Sequence, residues 1–290
     1  MGSKGISGKT KICALIGDPV EHTMSPAMHN AAYKKLGLDY IYIPFRVKPE
    51  QLAQAIEGLK ALNVKGFNVT IPHKVSVIPL LDGLDPMAEK IGAVNTVVNN
   101  DGEFRGYNTD AAGFLQALLE HGIEPEGKKV IVLGAGGASR AITYVLAGRG
   151  AHLTVLNRQL ELDWAEDIAR LIYDDLGNEV TVMELSHLAE ALAGADIMVN
   201  ATSVGMSPQS EESPVPKKLL KPDLVVFDIV YNPIMTRLLR EAVAAGARTI
   251  GGIDMLAWQG ALAFEKWTGQ KAPLDLMRRE AIKMLEKRNN

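Results

Sequence analysis

Lys74 and Asp110 are the two residues of this chain whose types and setting best suit the transfer of a proton. Lys74 closes the stretch Asn68-Val69-Thr70-Ile71-Pro72-His73-Lys74, and Asp110 closes Asn108-Thr109-Asp110, each just beyond an expected strand. An amine beside a carboxylate can take a hydroxyl proton and return it, and ligands of open α/β sheets gather outside the carboxyl ends of the strands. A short helix expected over 75–81 would set its positive end beside the lysine and favour the neutral, proton-accepting amine. Other strand ends are polar too, with His22-Thr23-Met24-Ser25-Pro26 after the first strand and Asn95 within Gly-Ala-Val-Asn-Thr. Taken singly, each has a plainer explanation: a solvated lysine, a helix cap at Ser25, a carboxylate at a helix start for Asp110, a turn for Asn95.

A second kind of chemistry is written in Lys129-Val-Ile-Val-Leu-Gly-Ala-Gly-Gly-Ala-Ser-Arg-Ala141. The apolar run ending at Leu133 suits a strand buried on both faces. Gly134, Gly136 and Gly137 then allow the tight turn that brings amide N–H groups to a pyrophosphate at a helix start. Ser139 stands where the third glycine of G-x-G-x-x-G is usual. A helix over 138–149 and a strand over 151–156 complete a β-α-β unit of the length a dinucleotide needs. Where an NAD site presents Asp or Glu, this chain presents Asn157 and Arg158, and a guanidinium suits a 2′-phosphate, so NADP is favoured over NAD. Outside that context, Arg158 would read as a solvated surface residue.

The elements that must position these groups alternate along the chain. Strands are expected at 11–17, 40–47 and 67–71, with helices at 25–36 (Ser25 as N-cap, Pro26 first helical) and 49–62. Strands at 94–98 and 103–107 flank Asn-Asn-Asp-Gly, which is hairpin chemistry and makes the first sheet mixed. An amphipathic helix at 110–120 leads to the glycine unit. Further strands at 179–183, 196–200, 224–228 and 248–250 follow, with helices at 254–267 and 273–286. The last helix is expected to return to the first domain. The proline-bearing loop 207–222 has the composition that a mobile flap could use, and the first ten residues are expected to be a mobile tail.

With 290 residues, the chain is long enough for two cores, and 47% hydrophobic against 22% charged residues is ordinary for a globular protein. A net charge of -3 argues against a nucleic-acid binder. The single cysteine, Cys13, excludes a disulfide framework, fits a reducing compartment and is expected to be a buried, inert thiol. No run is long and apolar enough to span a membrane, no signal peptide is evident, and the six histidines show no metal-binding spacing, so no metal is expected.

Eight motifs together resemble the shikimate dehydrogenase family, including its quinate/shikimate branch: GDPVEHTMSPAMHN, GFNVTIPHK, IGAVNTVV, GYNTDAAGF, VLGAGGASRA, NATSVGM, DIVYNP and GGIDMLAWQGA. They occur in the family's order and nearly from end to end. The resemblance implies reversible, NADP-dependent reduction of 3-dehydroshikimate to shikimate, with Lys74 and Asp110 facing the reacting hydroxyl. It implies a polyol pocket of Thr23 and Ser25 at the carboxylate end, Asn68, Thr70, Asn95 and Gln259 at the hydroxyls, and Tyr231 near the carboxylate. It further implies that Gly134, Ala135, Gly136, Gly137, Ala138 and Ser139 cradle the pyrophosphate, with Asn157 and Arg158 at the adenosine phosphate. Thr202, Ser203, Val204, Met206, Gly252 and Met255 would line the nicotinamide side.

Two departures from the family pattern stand out. Thr23 replaces a common serine, which adds a methyl group to the pocket. Gln159 and Leu162 replace the threonine and second base that follow the arginine in many NADP-specific members, so use of NAD as well stays open. The expected architecture is α/β with two domains: a discontinuous, mixed-sheet substrate domain (1–112 with 260–290) and a Rossmann-type, doubly wound NAD(P) domain (113–259). The expected setting is cytoplasmic, with small-molecule partners, no nucleic acid or membrane, and a homodimer compatible with the sequence. A dual quinate/shikimate dehydrogenase is the runner-up. A catalytically silent, metabolite-binding regulator is the alternative of another class, against which Lys74 and Asp110 speak.

Overall fold

In the computed structural model the described residues are 5–289, and they divide into two compact units: those up to Thr109 with those from Ala257 onward, and Asp110–Leu256. Each is α/β, and the chain passes back into the first unit within one long helix.

The first unit is built on β1 (Lys11–Gly17), α1 (Ser25–Lys35), β2 (Tyr40–Arg46), α2 (Leu52–Ala61) and β3 (Gly66–Val69). There follow β4 (Gly83–Leu84), α3 (Pro86–Ile91), β5 (Thr96–Asn100) and β6 (Glu103–Tyr107). The sheet order is β2-β1-β3-β5-β6-β4. β1, β2 and β3 run parallel, as helical crossovers require, while β3-β5 and β5-β6 are antiparallel, so the expected mixed sheet is present. Asp101 and Gly102 both take positive φ in the tight turn of the β5-β6 hairpin, the backbone that an Asp-Gly pair favours. Ile16, Phe67, Val97 and Phe104 lie in its buried apolar cluster.

The second unit begins at α4 (Asp110–Glu120) and continues with β7 (Lys129–Leu133), α5 (Gly137–Ala147), β8 (His152–Asn157), α6 (Leu162–Leu176) and β9 (Val180–Glu184). α7 (Leu188–Ala193), β10 (Ile197–Asn200), β11 (Val225–Asp228), α8 (Arg237–Ala244) and β12 (Arg248–Gly251) complete its sheet, and α9 (Gly252–Thr268) begins in it. Read from β9, the order is β9-β8-β7-β10-β11-β12, all parallel. This is the 3-2-1-4-5-6 winding of dinucleotide-binding sheets, whose switch point lies between β7 and β10. The closing helix, α10 (Leu274–Asn289), packs on α1 in the first unit.

Several expectations are corrected. α1 starts at Ser25 itself, with Met24 as N-cap and no side-chain cap bond; the Thr23 hydroxyl instead accepts the Ser25 N–H at 3.2 Å. No α-helix forms over 75–81, only turns and a short 3-10 segment, Ile78–Leu80. Pro79 lacks an N–H and restricts Ile78, so a regular helix is blocked there. The loop 207–222 makes contacts of its own: Val215 is fully buried, and the Arg237 guanidinium donates to the Glu211 carbonyl. Of the expected tail, residues 1–4 lie outside the described residues, while Thr10 is tied by its hydroxyl to Asp39 at 2.7 Å. Cys13 is fully buried, and burial pushes its thiol up to about 12. Among the described residues no helix is long and apolar enough to cross a membrane.

Gly66 shows how closely the first unit is packed. A Cβ there would lie 2.3 Å from Nε1 of the buried Trp267 and 2.5 Å from the Val97 carbonyl, the pair joined by a 2.9 Å hydrogen bond. Gly66→Ala is therefore expected to cost about 3 kcal/mol, combining overpacking with the lost bond. Gly58→Ala, within α2 and with nothing near its Cβ, should gain about 1 kcal/mol. Urea midpoints of the two variants measured against the parent check both signs.

Candidate functional site

At the carboxyl end of the first sheet the polar residues are joined through Asn95. Its Oδ1 accepts the Thr109 N–H at 2.7 Å and the Thr96 hydroxyl at 3.0 Å. Its Nδ2 donates to the Thr109 hydroxyl at 2.9 Å and reaches Gln259 Oε1 at 3.4 Å. Asn68 Nδ2 donates to the Asn95 carbonyl at 3.1 Å, and Asn68 Oδ1 receives the Tyr42 hydroxyl at 2.7 Å. Three of the expected polyol contacts, Asn68, Asn95 and Gln259, thus share one neighbourhood, and Asp110 follows Thr109 of the same cluster in the chain. Asn95 itself is only 2% exposed, so its carboxamide orders this cluster.

Lys74 is half-buried and held through its neighbours. His73, buried beside it, donates from Nε2 to the Val47 carbonyl at 2.7 Å, and the Val94 N–H donates to the Lys74 carbonyl at 2.7 Å. Since a carbonyl only accepts, the first bond fixes the ring proton on Nε2. One bond thus holds the lysine's backbone carbonyl, and the other anchors the side chain of the residue before it. The helix start expected beside the lysine is absent.

Thr23 lies on the loop after β1 and Ser25 opens α1 at its end; that loop is held against the Thr70 loop by the Asp18 N–H to Ile71 carbonyl bond of 2.9 Å. Space there is so tight that a Cβ on Gly17 would lie 2.3 Å from Thr70 Cγ2. Arg46, at the end of β2, grips the same loop through Asp18 at 2.6 Å. His29 is fully buried and stacks on Tyr42 with centroids 4.4 Å apart; burial pushes it down to about 3, which leaves it neutral and outside any acid-base role.

In the second unit, Gly134 adopts φ +93° between β7 and α5, and a Cβ on it would lie 2.9 Å from Thr202 Cγ2. The glycine loop and the loop after β10 thus meet at the switch point of the sheet. The first intrahelical bond of α5 runs from the Arg140 N–H to the Gly136 carbonyl at 3.0 Å, and no side chain caps the helix. The amides of Gly137, Ala138 and Ser139 precede it and are the donors that an anion at this helix start requires. A Cβ on Gly136 would meet nothing within 4 Å, so that side of the loop is open. These features fit a dinucleotide pyrophosphate. Ser139 is fully buried, and its hydroxyl donates to the Gly134 carbonyl at 2.6 Å, so its side chain closes the turn. Ala135 is buried as well.

Asn157 ends β8 and donates to the Glu161 carbonyl at 2.6 Å, whereas Arg158 beside it is exposed and paired with the Glu161 carboxylate. Ser203 and Met206 are exposed, Val204 and Tyr231 half-buried, and Met255 buried. A Cβ on Gly252 would fall 2.2 Å from the Ile229 carbonyl, so this glycine is required by backbone packing at the start of α9. Among the described residues no three His, Cys, Asp or Glu are grouped to hold a metal ion.

Sequence reasoning missed a buried brace behind these loops. Asp228, which ends β11, accepts the Thr236 hydroxyl at 2.6 Å, the Val230 N–H at 3.0 Å and Asn200 Nδ2 at 2.9 Å. Asn200 Oδ1 in turn receives the Thr202 hydroxyl at 2.6 Å, so the carboxylate ties the loop after β10 to that after β11. The available signal was the polar residue that closes each apolar strand, in Ile-Met-Val-Asn and Val-Val-Phe-Asp. Tyr42 and His73 gave no such signal, because their partners are set by packing.

Burial pushes the Asp228 carboxyl up to about 6, against the pull of its three donors. A carboxyl raised in the folded state binds its proton more tightly there than in the unfolded chain. Its contribution is therefore greatest below about pH 4 and declines as pH rises through about 6. Thr236→Val removes both a donor to this carboxylate and the cap of α8, where the hydroxyl accepts the Leu239 N–H at 3.2 Å. The variant should lose about 2–4 kcal/mol at pH 7.5 and clearly less at pH 5, where the carboxyl is neutral. Urea titrations of parent and variant at both pH values provide the measurement.

Three family models cover most of the chain. A shikimate dehydrogenase substrate binding domain matches residues 15–97, a shikimate/quinate 5-dehydrogenase domain 117–233, and a shikimate 5'-dehydrogenase C-terminal domain 252–282. A shikimate dehydrogenase (NADP(+)) of Dehalococcoides mccartyi is 51% identical over 269 residues, 92% of this chain and 93% of the relative. A crystal structure of a shikimate dehydrogenase in complex with NADP+ superposes with TM-score 0.92 at 42% identity, covering 98% of each chain. The Listeria monocytogenes shikimate 5-dehydrogenase, solved in complex with shikimate and NAD, superposes with TM-score 0.87 at 40% identity, covering 95% of this chain and 98% of that one. With half of its residues shared over nearly its whole length, and with the same two-sheet fold, this chain belongs to the shikimate dehydrogenase family.

Proposed function

We propose that the chain catalyses the reversible, NADP-dependent reduction of 3-dehydroshikimate to shikimate, the step that feeds aromatic amino acid biosynthesis. The observation that carries this reading is the cluster around Asn95, which bonds both to the segment bearing Lys74 and to Thr109, the residue before Asp110. Such a cluster of carboxamides and hydroxyls suits a ligand rich in hydroxyl groups. The family relationship supplies the particular polyol.

In this reading Lys74 removes the proton from the reacting hydroxyl during oxidation and returns it during reduction, and Asp110 orients the ammonium. NADP, when bound, supplies the hydride acceptor for that carbon. Thr23 and Ser25, with Tyr231, take the substrate carboxylate, while Asn68, Thr70, Asn95 and Gln259 orient its hydroxyls. The amides of Gly137, Ala138 and Ser139 hold the pyrophosphate within the loop from Gly134, and Asn157 and Arg158 take the adenosine phosphate. Thr202, Ser203, Val204, Met206, Gly252 and Met255 flank the nicotinamide. We assign the 1–112 and 260–290 segments to substrate and 113–259 to cofactor, and place the enzyme in the cytoplasm on the strength of its single, buried cysteine.

The runner-up, dual use of quinate and shikimate with either cofactor, has one specific observation behind it: the missing second base at Leu162. An activity matrix of shikimate and quinate against NADP and NAD, followed by nicotinamide absorbance, separates the two; preference for quinate overturns the main assignment. Lys74→Ala should cut turnover by about 10²–10⁴-fold while NADP binding by calorimetry stays within twofold, roughly the expectation for loss of a general base. Near-normal turnover in that variant would remove the lysine from the mechanism.

A further inference from the structure

Arg158 is not presented as a bare cation at the end of β8. Its Nε lies 3.1 Å from one Glu161 oxygen and its Nη2 2.5 Å from the other, a two-pronged pairing of guanidinium and carboxylate. The acid is itself held in place: the Glu161 N–H donates to the Arg158 carbonyl at 2.9 Å, and Asn157 Nδ2 donates to the Glu161 carbonyl at 2.6 Å. This small closed loop sits beside the glycine turn, because the Gly134 N–H donates to the Leu156 carbonyl at 2.8 Å. The Arg158 side chain is 72% exposed, so the pairing adds little to fold stability and its effect falls on whatever approaches the guanidinium.

We propose that Glu161 is a specificity-determining residue, which occupies the edge of Arg158 that a ribose 2′-phosphate would take and so narrows the preference for NADP over NAD. The inference rests on the reading of this unit as the cofactor site. A phosphomonoester carries about -1.5 to -2 charges at neutral pH. One guanidinium cannot neutralise both it and the adjacent carboxylate, and Leu162 brings no second cation. The 2′-phosphate must therefore displace Glu161 from Arg158 or bind against its charge. NAD meets no such conflict: its free 2′-hydroxyl can donate to the carboxylate, the role acidic residues play near the second strand of NAD sites. One loop thereby serves both cofactors.

The test is calorimetric titration of the full-length protein and its Glu161→Gln variant with adenosine 2′,5′-bisphosphate and with 5′-AMP, which need no turnover to be read. The variant is expected to bind the bisphosphate about five- to twentyfold more tightly, with a smaller effect at high salt. Its affinity for 5′-AMP should be unchanged or lower. Unchanged or weaker bisphosphate binding overturns the proposal, since it would mean that Glu161 is neutral toward the phosphate or holds Arg158 ready for it. Failure of the parent protein to bind either nucleotide overturns the cofactor reading itself, a result distinct from an unaltered variant.

Discussion

A single buried carboxamide sets the order of the first unit's polar end. Asn95 lies between strands that are distant in sequence, and its two ends bond to partners at positions 96, 109 and 259 while its carbonyl serves position 68. A carboxamide suits this place because it offers a donor and an acceptor without a charge to bury. An aspartate here would lack the donor and carry an unneutralised charge, and an aliphatic residue would strand several polar atoms. The geometry of the neighbouring side chains depends on this one group being fully satisfied. Since Val94, the residue before it, donates to the Lys74 carbonyl, the lysine's backbone is referred to the same point.

The second unit solves a similar problem with a charge. Asp228 receives three donors, from a helix cap, a backbone amide and the Asn200 carboxamide. An ionised buried carboxylate is tolerable only with such donors, and their convergence offsets the desolvation that raises its pKa. What is gained is rigidity in two loops that follow neighbouring parallel strands. Those loops hold Thr202 and Tyr231, so the brace lies behind residues assigned to ligands and not among them. In both units the same arrangement recurs: a strand delivers a polar residue to its carboxyl end, and that residue fixes a loop.

Much of this was legible in the sequence, because it depends on local chemistry. The apolar run to Leu133, the glycines after it and the following strand specify a β-α-β unit by backbone requirements alone. Asp101-Gly102 specifies its hairpin for the same reason. Lys74, Asn95 and Asp110 could be singled out because polar residues past strand ends are conspicuous. Tyr42 could not be, since it is one aromatic residue in an alternating strand, and only the register of β2 beside β1 aims its hydroxyl at Asn68. The segment after Lys74 misled in the other direction. Its apolar residues suggest a helix, and the veto comes from one residue, Pro79, whose effect on the preceding backbone outweighs the pattern. Ser25 illustrates a third case: its type suits a cap, but the helix begins one residue sooner, with Met24 at the N-cap, so Ser25 is already inside it and its own N–H goes to the Thr23 hydroxyl.

The replacement of the third fingerprint glycine by Ser139 shows why such patterns admit exceptions. A glycine there serves close packing of helix against strand, so any side chain at that position must be small and must be turned inward. A hydroxyl turned inward is a buried polar group and needs a partner. The Gly134 carbonyl is available only because the turn is tight enough to bring it within 2.6 Å. The bond thus closes the glycine loop and ties the conformation of Gly134 to the first turn of α5. A serine in this place is an exchange of one way of shaping the loop for another: glycine leaves room for the approach, whereas serine uses a hydrogen bond to hold it. An alanine would match the size but supply no bond, and a threonine would add a methyl group where the side chain is already fully enclosed.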